Sequence, residues 1–445
     1  MSRPIPIDNP KIARRHFLAA ASAAVIVVPK GALALDGASL GVVGDTGRDV
    51  TAQLEDAIRQ AAGRGASLQL DAGDYLVSDL KLPTGARIAG NGARLILSGG
   101  DMLLSAEDQR DIQLSDLSFD GKGQGRRGTE TTLVGFRNCE NVVIENCGFA
   151  DFESNGLYAE TSSINVTDCL FSGFGETGLH LQDCRLSQLR GNRVLKSGNG
   201  AIRVWRFEKG FDGTIVTNNQ ISGVGSDSGN GQNGNGINVF QADGVVVSNN
   251  VIQDCDFSAI RANTTRDTII SNNQCHDCRE VAIFSEFAFT GSVIANNVID
   301  KAATGISITN LDDEGHLATC TGNVVRNILP SSPTNPDTYP VGIYVEAEIA
   351  VTGNVVEDVP GLCIGAGWGP YLRNVLIANN VLRRGQVGVG VSVVDGSGAV
   401  QITNNLIADM SQSGIAGFEW DKMVAPDLKS GDYAHVTLGG NTFSG

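Results

Sequence analysis

Two glutamates, Glu286 and Glu346, occupy equivalent places in the repeating segments of this 445-residue chain, two repeats apart. If each repeat adds one strand to a stack at ~4.8 Å, their backbones lie roughly 9.6 Å apart, near the wide end of the ~6.5–9.5 Å carboxyl separation that inverting glycoside hydrolysis uses. One would protonate the leaving oxygen while the other activates water. Asp312, Asp313, Glu314 and His316 on the intervening turn add spare acid groups. A second chemistry, β-elimination or epimerisation of a uronate, needs a cation or amide to neutralise the sugar carboxylate and a base at C5. Arg203 and Arg261, with Asn238 on the repeat between them, supply the first requirement, and His180 or Tyr344 the second. The competing structural readings are that the acids are solvated charges and that the arginines pair with neighbours such as Glu208 or Asp183.

These residues fall in two columns that alternate with apolar positions. The first reads Tyr158, His180, Arg203, Asn238, Arg261, Phe284, Ser307, Tyr344, Cys363, Gly390 and Ala416; the second reads Glu160, Gln182, Trp205, Phe240, Asn263, Glu286, Thr309, Glu346, Gly365, Ser392 and Phe418. Aromatic faces with amides and charges between them suit a sugar chain, which offers apolar ring faces and hydroxyls. The expected binding set is Tyr158, Glu160, Arg203, Trp205, Asn238, Phe240, Arg261 and Phe284, and the expected catalytic set is Glu286, Glu346, Tyr344 and His180. Beyond Cys363 the columns fall mostly to small residues, which places the expected chemistry in the first two thirds. Three insertions, Gly223 to Gly236, Pro330 to Pro340 and Asp421 to Tyr433, interrupt otherwise terse repeats and are candidate groove walls. The alternative is that outward aromatics only pack across neighbouring strands.

The positioning element is the repeat itself. From Gly135 onward a short apolar strand, an Asn-Asn or Gly-Asn dipeptide, another apolar pair, a polar turn and a Gly-Ile/Leu-x-Val strand recur. The second member of the dipeptide, with Cys147 and Cys169 in the same slot, runs 147, 169, 192, 219, 250, 273, 297, 323, 354, 380, 405, 441. The mean interval of about 27 residues is a solenoid period. Segments such as Asn235-Gly-Ile-Asn-Val-Phe and Val341-Gly-Ile-Tyr-Val-Glu alternate apolar and polar residues and are rich in β-branched side chains, so they are strands. Asparagine tolerates the left-handed conformation of a tight corner, and stacked amides can hydrogen-bond along the stack. The expectation is an all-β, single-stranded right-handed parallel β-helix of about 13 to 15 coils, with Ile and Val inside.

Residues 49–62 read as an amphipathic helix with Asp49 as N-cap and Leu54, Ala57, Ile58 and Ala61 on one face, capping the first coil. Upstream, Arg14-Arg15, an apolar run from Ala19 to Val28 and Ala32-Leu33-Ala34 have the order of a twin-arginine export signal cleaved after Ala34. The run is too short to span a bilayer. The expected division is 1–34 signal, 35–80 cap helix and first strand, and 81–445 coil, in a periplasmic or secreted protein without a membrane anchor. The formal net charge of −16 is the wrong sign for gripping a phosphate backbone, so nucleic acid is not an expected partner. Glycine, at 56 residues, follows no three-residue period, which excludes collagen. Nine cysteines are an odd number, leaving at least one unpaired in any disulfide scheme. Cys255, Cys275 and Cys278 fall at inward positions, so Cys275-His-Asp-Cys278 reads as core rather than as a metal or redox motif.

The helix, the Leu68-Gln-Leu-Asp-Ala-Gly-Asp-Tyr-Leu-Val segment, the Arg-Arg signal and the Asn-Asn repeats together resemble a family of exported repeat proteins in the pectate-lyase-like superfold. The resemblance covers nearly all of the chain after the signal. It implies the fold but no assigned activity, and a repeat proposed to bind a cofactor; no cofactor or metal motif stands out from the residues themselves. Polygalacturonase-like proteins place paired Asp residues and a Gly-His-Gly on adjacent coils, whereas here Asp312-Asp313 and Gly315-His316 share one turn, so that machinery does not carry over. No cluster matches a pectate-lyase calcium site. The functional expectation is a polysaccharide or oligosaccharide partner, bound or cleaved by a hydrolase or lyase along one sheet; the alternative is a non-catalytic scaffold or cofactor-binding repeat protein. Oligomeric state is not readable from the sequence.

Overall fold

The computed structural model describes residues 33–127, 131–229 and 231–445. The Arg14-Arg15 segment and its apolar run lie outside the described residues. The first described strand, Ala34–Asp36, pairs in parallel with Ser67–Gln69, so it straddles the cleavage point expected after Ala34.

Short strands stack in parallel, each on its equivalent one coil away, into a β-helix. One column of inward side chains shows why the sequence winds this way. Leu80, Leu104, Val134, Leu157, Leu179, Ile202, Ile237, Ile260, Ile283, Ile306, Ile343, Ile364, Val389 and Ile415 are successive register partners and all are buried. These fourteen rungs bury a branched aliphatic at each level, and the residue after each one faces away from the core by the period-two rule. The helix α1 (Thr51–Gly63) buries Leu54, Ala57, Ile58 and Ala61 against the first coil as expected. Its N-cap is Val50 rather than Asp49, but the Asp49 carboxylate still accepts from the Thr51 N–H at 2.9 Å.

The asparagine column is a continuous ladder. From Asn192 to Asn441 each Asn Nδ2 donates to the next Asn Oδ1 at 2.9–3.1 Å. The backbone N–H of each donates to the same oxygen, and its second amide hydrogen reaches a backbone carbonyl, as Asn250 does to Val216. Cys147 and Cys169 continue the column above it, with Cys169 N–H donating to Asn192 Oδ1. The preceding residue makes the bend in the left-handed region: Asn218, Asn249, Asn272 and Asn296 have φ of 57–58°, and Gly191 and Gly322 have 70° and 67°. All nine cysteines are unpaired and buried. Cys255 stacks on Cys278, and Cys275 on Ile252, as the alignment required.

The alternation slips at one coil. Tyr344 partners Gly365, not Cys363, because Cys363 takes the place of the glycine in the Gly-Ile-x-Val phrase and Ile364 stacks on Ile343. A register shift between Val359 and Leu362 absorbs the extra residues. Asp421 to Tyr433 is not all loop, since Lys422–Ala425 folds back as an antiparallel strand on Ser413–Glu419.

Candidate functional site

The residues expected to bind and cleave sugar do line two adjacent columns outside the core, the first in unbroken register from Tyr158 to Tyr344 and the second from Glu160 to Glu286. His180, Arg203, Asn238, Glu286 and Glu346 are buried, and the rest of the set is half-buried. Tyr158, His180, Trp205 and Phe240 pack edge-to-face in sequence, with ring centroids 5.1, 5.1 and 6.0 Å apart. Their faces are turned to one another, which is the cross-strand packing that any sheet surface favours. The Tyr158 hydroxyl donates to Glu160, and Arg137 pairs with the same carboxylate.

The insertion Gly223 to Gly236 roofs this column instead of walling a groove beside it. Arg203 donates to Asn233 Oδ1 at 2.9 Å, Asn238 to the Gln232 carbonyl at 3.1 Å, and Arg261 to the Gly231 carbonyl. Arg203 also lies over the Trp205 ring at 4.7 Å, and burial pulls its pKa down to about 10. Arg261 pairs with Glu286, which Asn263 also binds. Glu286 is therefore neutralised and only 2 % exposed, a poor position for a group that must meet substrate. Burial raises its pKa, with Arg261 opposing that shift. Burial and the Arg203 charge push His180 down to about 3, so it is a neutral imidazole and a weak base.

Glu346 is buried on a different coil, where its carboxylate accepts from the Leu311 N–H at 2.7 Å. Burial pushes its pKa up to about 7. Tyr344 donates to the Gly367 carbonyl at 3.1 Å, and burial lifts its phenol well above the usual range. Of Glu286, Glu346, Tyr344 and His180, Tyr344 alone reaches the open hollow described next.

That hollow lies further along the same face, over the coils from Glu280 to Met423, with a volume of about 560 Å³. It occupies the stretch where the outward columns fall to small residues. Gly390 forms part of its floor, and the Tyr344 ring lies across Gly365 so closely that a Cβ there would stand 2.4 Å from it. Three rings stand around it on separate elements. Tyr339 comes from the Pro330 to Pro340 insertion, Trp368 from the turn after the strand Val355–Ala366, and Trp420 from the tip of the C-terminal hairpin. Their centroids are 5.9 Å (Tyr339 to Trp368) and 5.7 Å (Trp368 to Trp420) apart. The Trp420 ring rests on Gly369, where a Cβ would stand 2.4 Å away. The Pro330 to Pro340 insertion is tied down by Thr334 to the Asp256 carbonyl, Asn335 to Glu280 and Thr304 to the Tyr339 carbonyl. Amides of Asn335, Gln386 and Gln412 and carboxylates of Glu280, Asp337 and Asp421 complete the rim.

The expected stretch thus reaches one side of this hollow through Phe284, Ser307 and Tyr344, and two of the three insertions expected as groove walls border it, while its far side lies beyond Cys363, where no chemistry was expected. The available signal was Trp368 and Trp420, two of the three tryptophans in the chain, flanking the run of small column residues. Among the described residues no group of three or more His, Cys, Asp and Glu is gathered to hold a metal.

A family model described as "Right handed beta helix region" matches residues 99–221 and 206–321, half of the chain. The chain belongs to that family. Within the right-handed β-helix fold it is similar to the N-terminal fragment of bacteriophage Phi29 gene product 12, with a TM-score of 0.54, 17 % identity, and coverage of 92 % of this chain and 71 % of that one. It is also similar to PfbA, a surface adhesin of Streptococcus pneumoniae, with a TM-score of 0.46, 15 % identity, and coverage of 89 % and 94 %. The Azotobacter vinelandii mannuronan C-5 epimerase AlgE6 A-module gives 0.42, 14 % identity, and coverage of 92 % and 98 %. At such identities the likeness concerns the fold, which hosts many functions. No curated protein matches the chain in sequence. Among the described residues no helix is long and apolar enough to cross a membrane.

Proposed function

We propose that this β-helix protein binds a glycan, and that it does so in the hollow between Tyr339, Trp368 and Trp420, which Phe284 also lines, rather than along the column from Tyr158 to Arg261. One observation carries the reading: three aromatic side chains from three separate elements stand around a hollow of about 560 Å³ whose other polar groups are hydroxyls, amides and carboxylates. Sugar rings offer apolar faces for stacking and hydroxyls for such groups, and a cleft with few, convergent polar groups is where ligands bind. Roofed by its own loop, the earlier column serves as structure.

A second reading, cleavage of the bound chain, rests on Glu346. A carboxyl held at about 7 is suited to general acid catalysis near neutral pH, and Glu346 sits two residues from Tyr344, whose ring lines the hollow. Export by the twin-arginine route, with removal of residues 1–34, remains our proposal from Arg14-Arg15, the apolar run and Ala32-Leu33-Ala34. It places the protein outside the cytoplasm, where polysaccharide is available.

The test is titration of the purified protein with neutral, amino and uronic oligosaccharides, followed by tryptophan fluorescence. Reducing ends and unsaturated products are measured in parallel. Saturable change with at least one sugar class supports glycan binding, and new reducing ends or unsaturated ends identify a hydrolase or a lyase. No change with any class refutes the reading and leaves a non-catalytic scaffold.

A further inference from the structure

The hollow has a charge problem that a neutral sugar would not solve. Glu280 is only 7 % exposed and lines the hollow. Its carboxylate accepts from Asn335 Nδ2 at 2.8 Å and from Ser258 Oγ at 3.3 Å, both neutral donors. Among the described residues no Lys, Arg or His pairs with it. Two other buried acids are matched by charge, Glu286 by Arg261 and Asp243 by Arg266, whereas Asp212 and Glu346 are held by backbone N–H groups and do not line the hollow. Even the adjacent Arg279 turns away from Glu280, to Asp254 and Asp256. A carboxylate taken out of water and left without a counter-charge is costly unless something arrives to pair with it.

The rest of the hollow points the same way. Asp337 and Asp421 add two more carboxylates, and no Lys, Arg or His stands among its lining residues. Tyr339, Trp368 and Trp420 present π-faces, whose negative quadrupoles attract a cation within about 6 Å. A uronate would meet three like charges and no cation. Hydroxyls alone would be served as well by amides as by carboxylates.

We propose that the ligand is a glycan carrying a protonated primary amine, as a de-N-acetylated amino sugar does, with Glu280 as counter-ion to the ammonium and the three rings around the sugar. The proposal rests on the hollow being a glycan site. It differs from the uronate chemistry expected of Arg203 and Arg261, whose guanidinium groups are engaged by the roofing loop and Glu286.

The experiment compares glucosamine oligomers, their N-acetylated equivalents, neutral glucan oligomers and uronate oligomers of the same length, binding to the full chain by calorimetry. The amine series is expected to bind at least tenfold more tightly than the N-acetylated one and to weaken as salt is raised or as the amine is deprotonated. In Glu280→Gln the ratio of amine to N-acetylated affinity is expected to shrink to within about twofold. Equal affinity for amine, N-acetylated and neutral oligomers overturns the amine proposal and leaves the glycan reading standing, as does tightest binding of the uronate. Failure of all four to bind overturns both. The ligand series on the unsubstituted protein decides the matter even if Glu280→Gln does not fold.

Discussion

Replacing Asn250 by alanine cuts the asparagine ladder in its buried middle. Asn250 Oδ1 accepts two hydrogen bonds, from the Asn219 backbone N–H and from Asn219 Nδ2, both at 2.9 Å. Its own Nδ2 donates to Asn273 Oδ1 at 2.9 Å and to the Val216 carbonyl at 3.1 Å. Alanine leaves the two Asn219 donors without acceptors at a place that is 1 % exposed, with Asn219 itself at 0 %. An orphaned buried donor costs about 1–3 kcal/mol, so two cost about 3 kcal/mol or more before the small cavity is added. Asn441→Ala is the matched control. It removes the same pair of acceptor bonds, to Asn405, at the last rung, where Asn441 is half-buried and water can replace it; the expected loss is about 1 kcal/mol. Urea unfolding followed by circular dichroism measures both, with the midpoint moving and the slope unchanged. If Asn250→Ala is no worse than Asn441→Ala, the ladder is ornament and the reasoning fails.

Trp420→Ala is expected to weaken glycan binding about tenfold, the loss of one aromatic face worth roughly 1.4 kcal/mol, while shifting stability by less than about 1 kcal/mol because the ring is 47 % exposed; calorimetry and urea titration separate the two. Glu346 binds its proton more tightly folded than unfolded, rising from 4.5 to about 7, so its contribution to stability is greatest below pH 4.5 and is lost as pH climbs to 7. Glu346→Gln should therefore remove a fall of about 3 kcal/mol across that window and be the more stable protein at pH 8, and an unchanged pH–stability curve would falsify the buried-acid account. The nine buried cysteines should be unreactive to a water-soluble thiol reagent until denaturant is added, when all nine titrate; in Cys184, Cys320 and Cys363 burial also pushes the thiol up to about 12, a second reason for low reactivity.

Much of the fold was legible because each coil repeats the same physical constraints. Ile237, Ile283 and Ile343 had to face inward once Asn238, Phe284 and Tyr344 faced outward, since a strand alternates at every residue. The Asn-Asn corner was legible for the same reason: one asparagine takes the left-handed bend, its neighbour stacks, and both requirements recur along the chain. The exception is instructive. At Gly361-Leu-Cys-Ile the glycine looks like the start of the usual phrase, but Cys363 takes that slot beside Gly342 of the neighbouring strand Val341–Val345, where other coils place Ala201, Ala259 and Ala282, so the position accepts a small side chain as well as glycine.

The site was less legible because facing away from the core is not the same as facing solvent. Alternation gives the direction of a Cβ, whereas access depends on whichever long loop lies above it, and loop placement carries no periodic signal. Asn238 points outward and is 3 % exposed because Gln232 and Asn233 fold over its column. Gly390 points outward too, but Leu362 and Phe418 crowd the place its side chain would take, and the open space lies among Trp368, Trp420 and Tyr339 at the ends of neighbouring segments. On a solenoid, a run of large outward residues is as well explained by packing beneath a loop as by binding. The small ones are packing sites as well, since the Tyr344 ring covers Gly365 and the Trp420 ring covers Gly369; what separates this stretch is that the side chains around it enclose an open hollow of about 560 Å³. The small-residue stretch beyond Cys363 borders that hollow, and the hollow is where binding should be sought first.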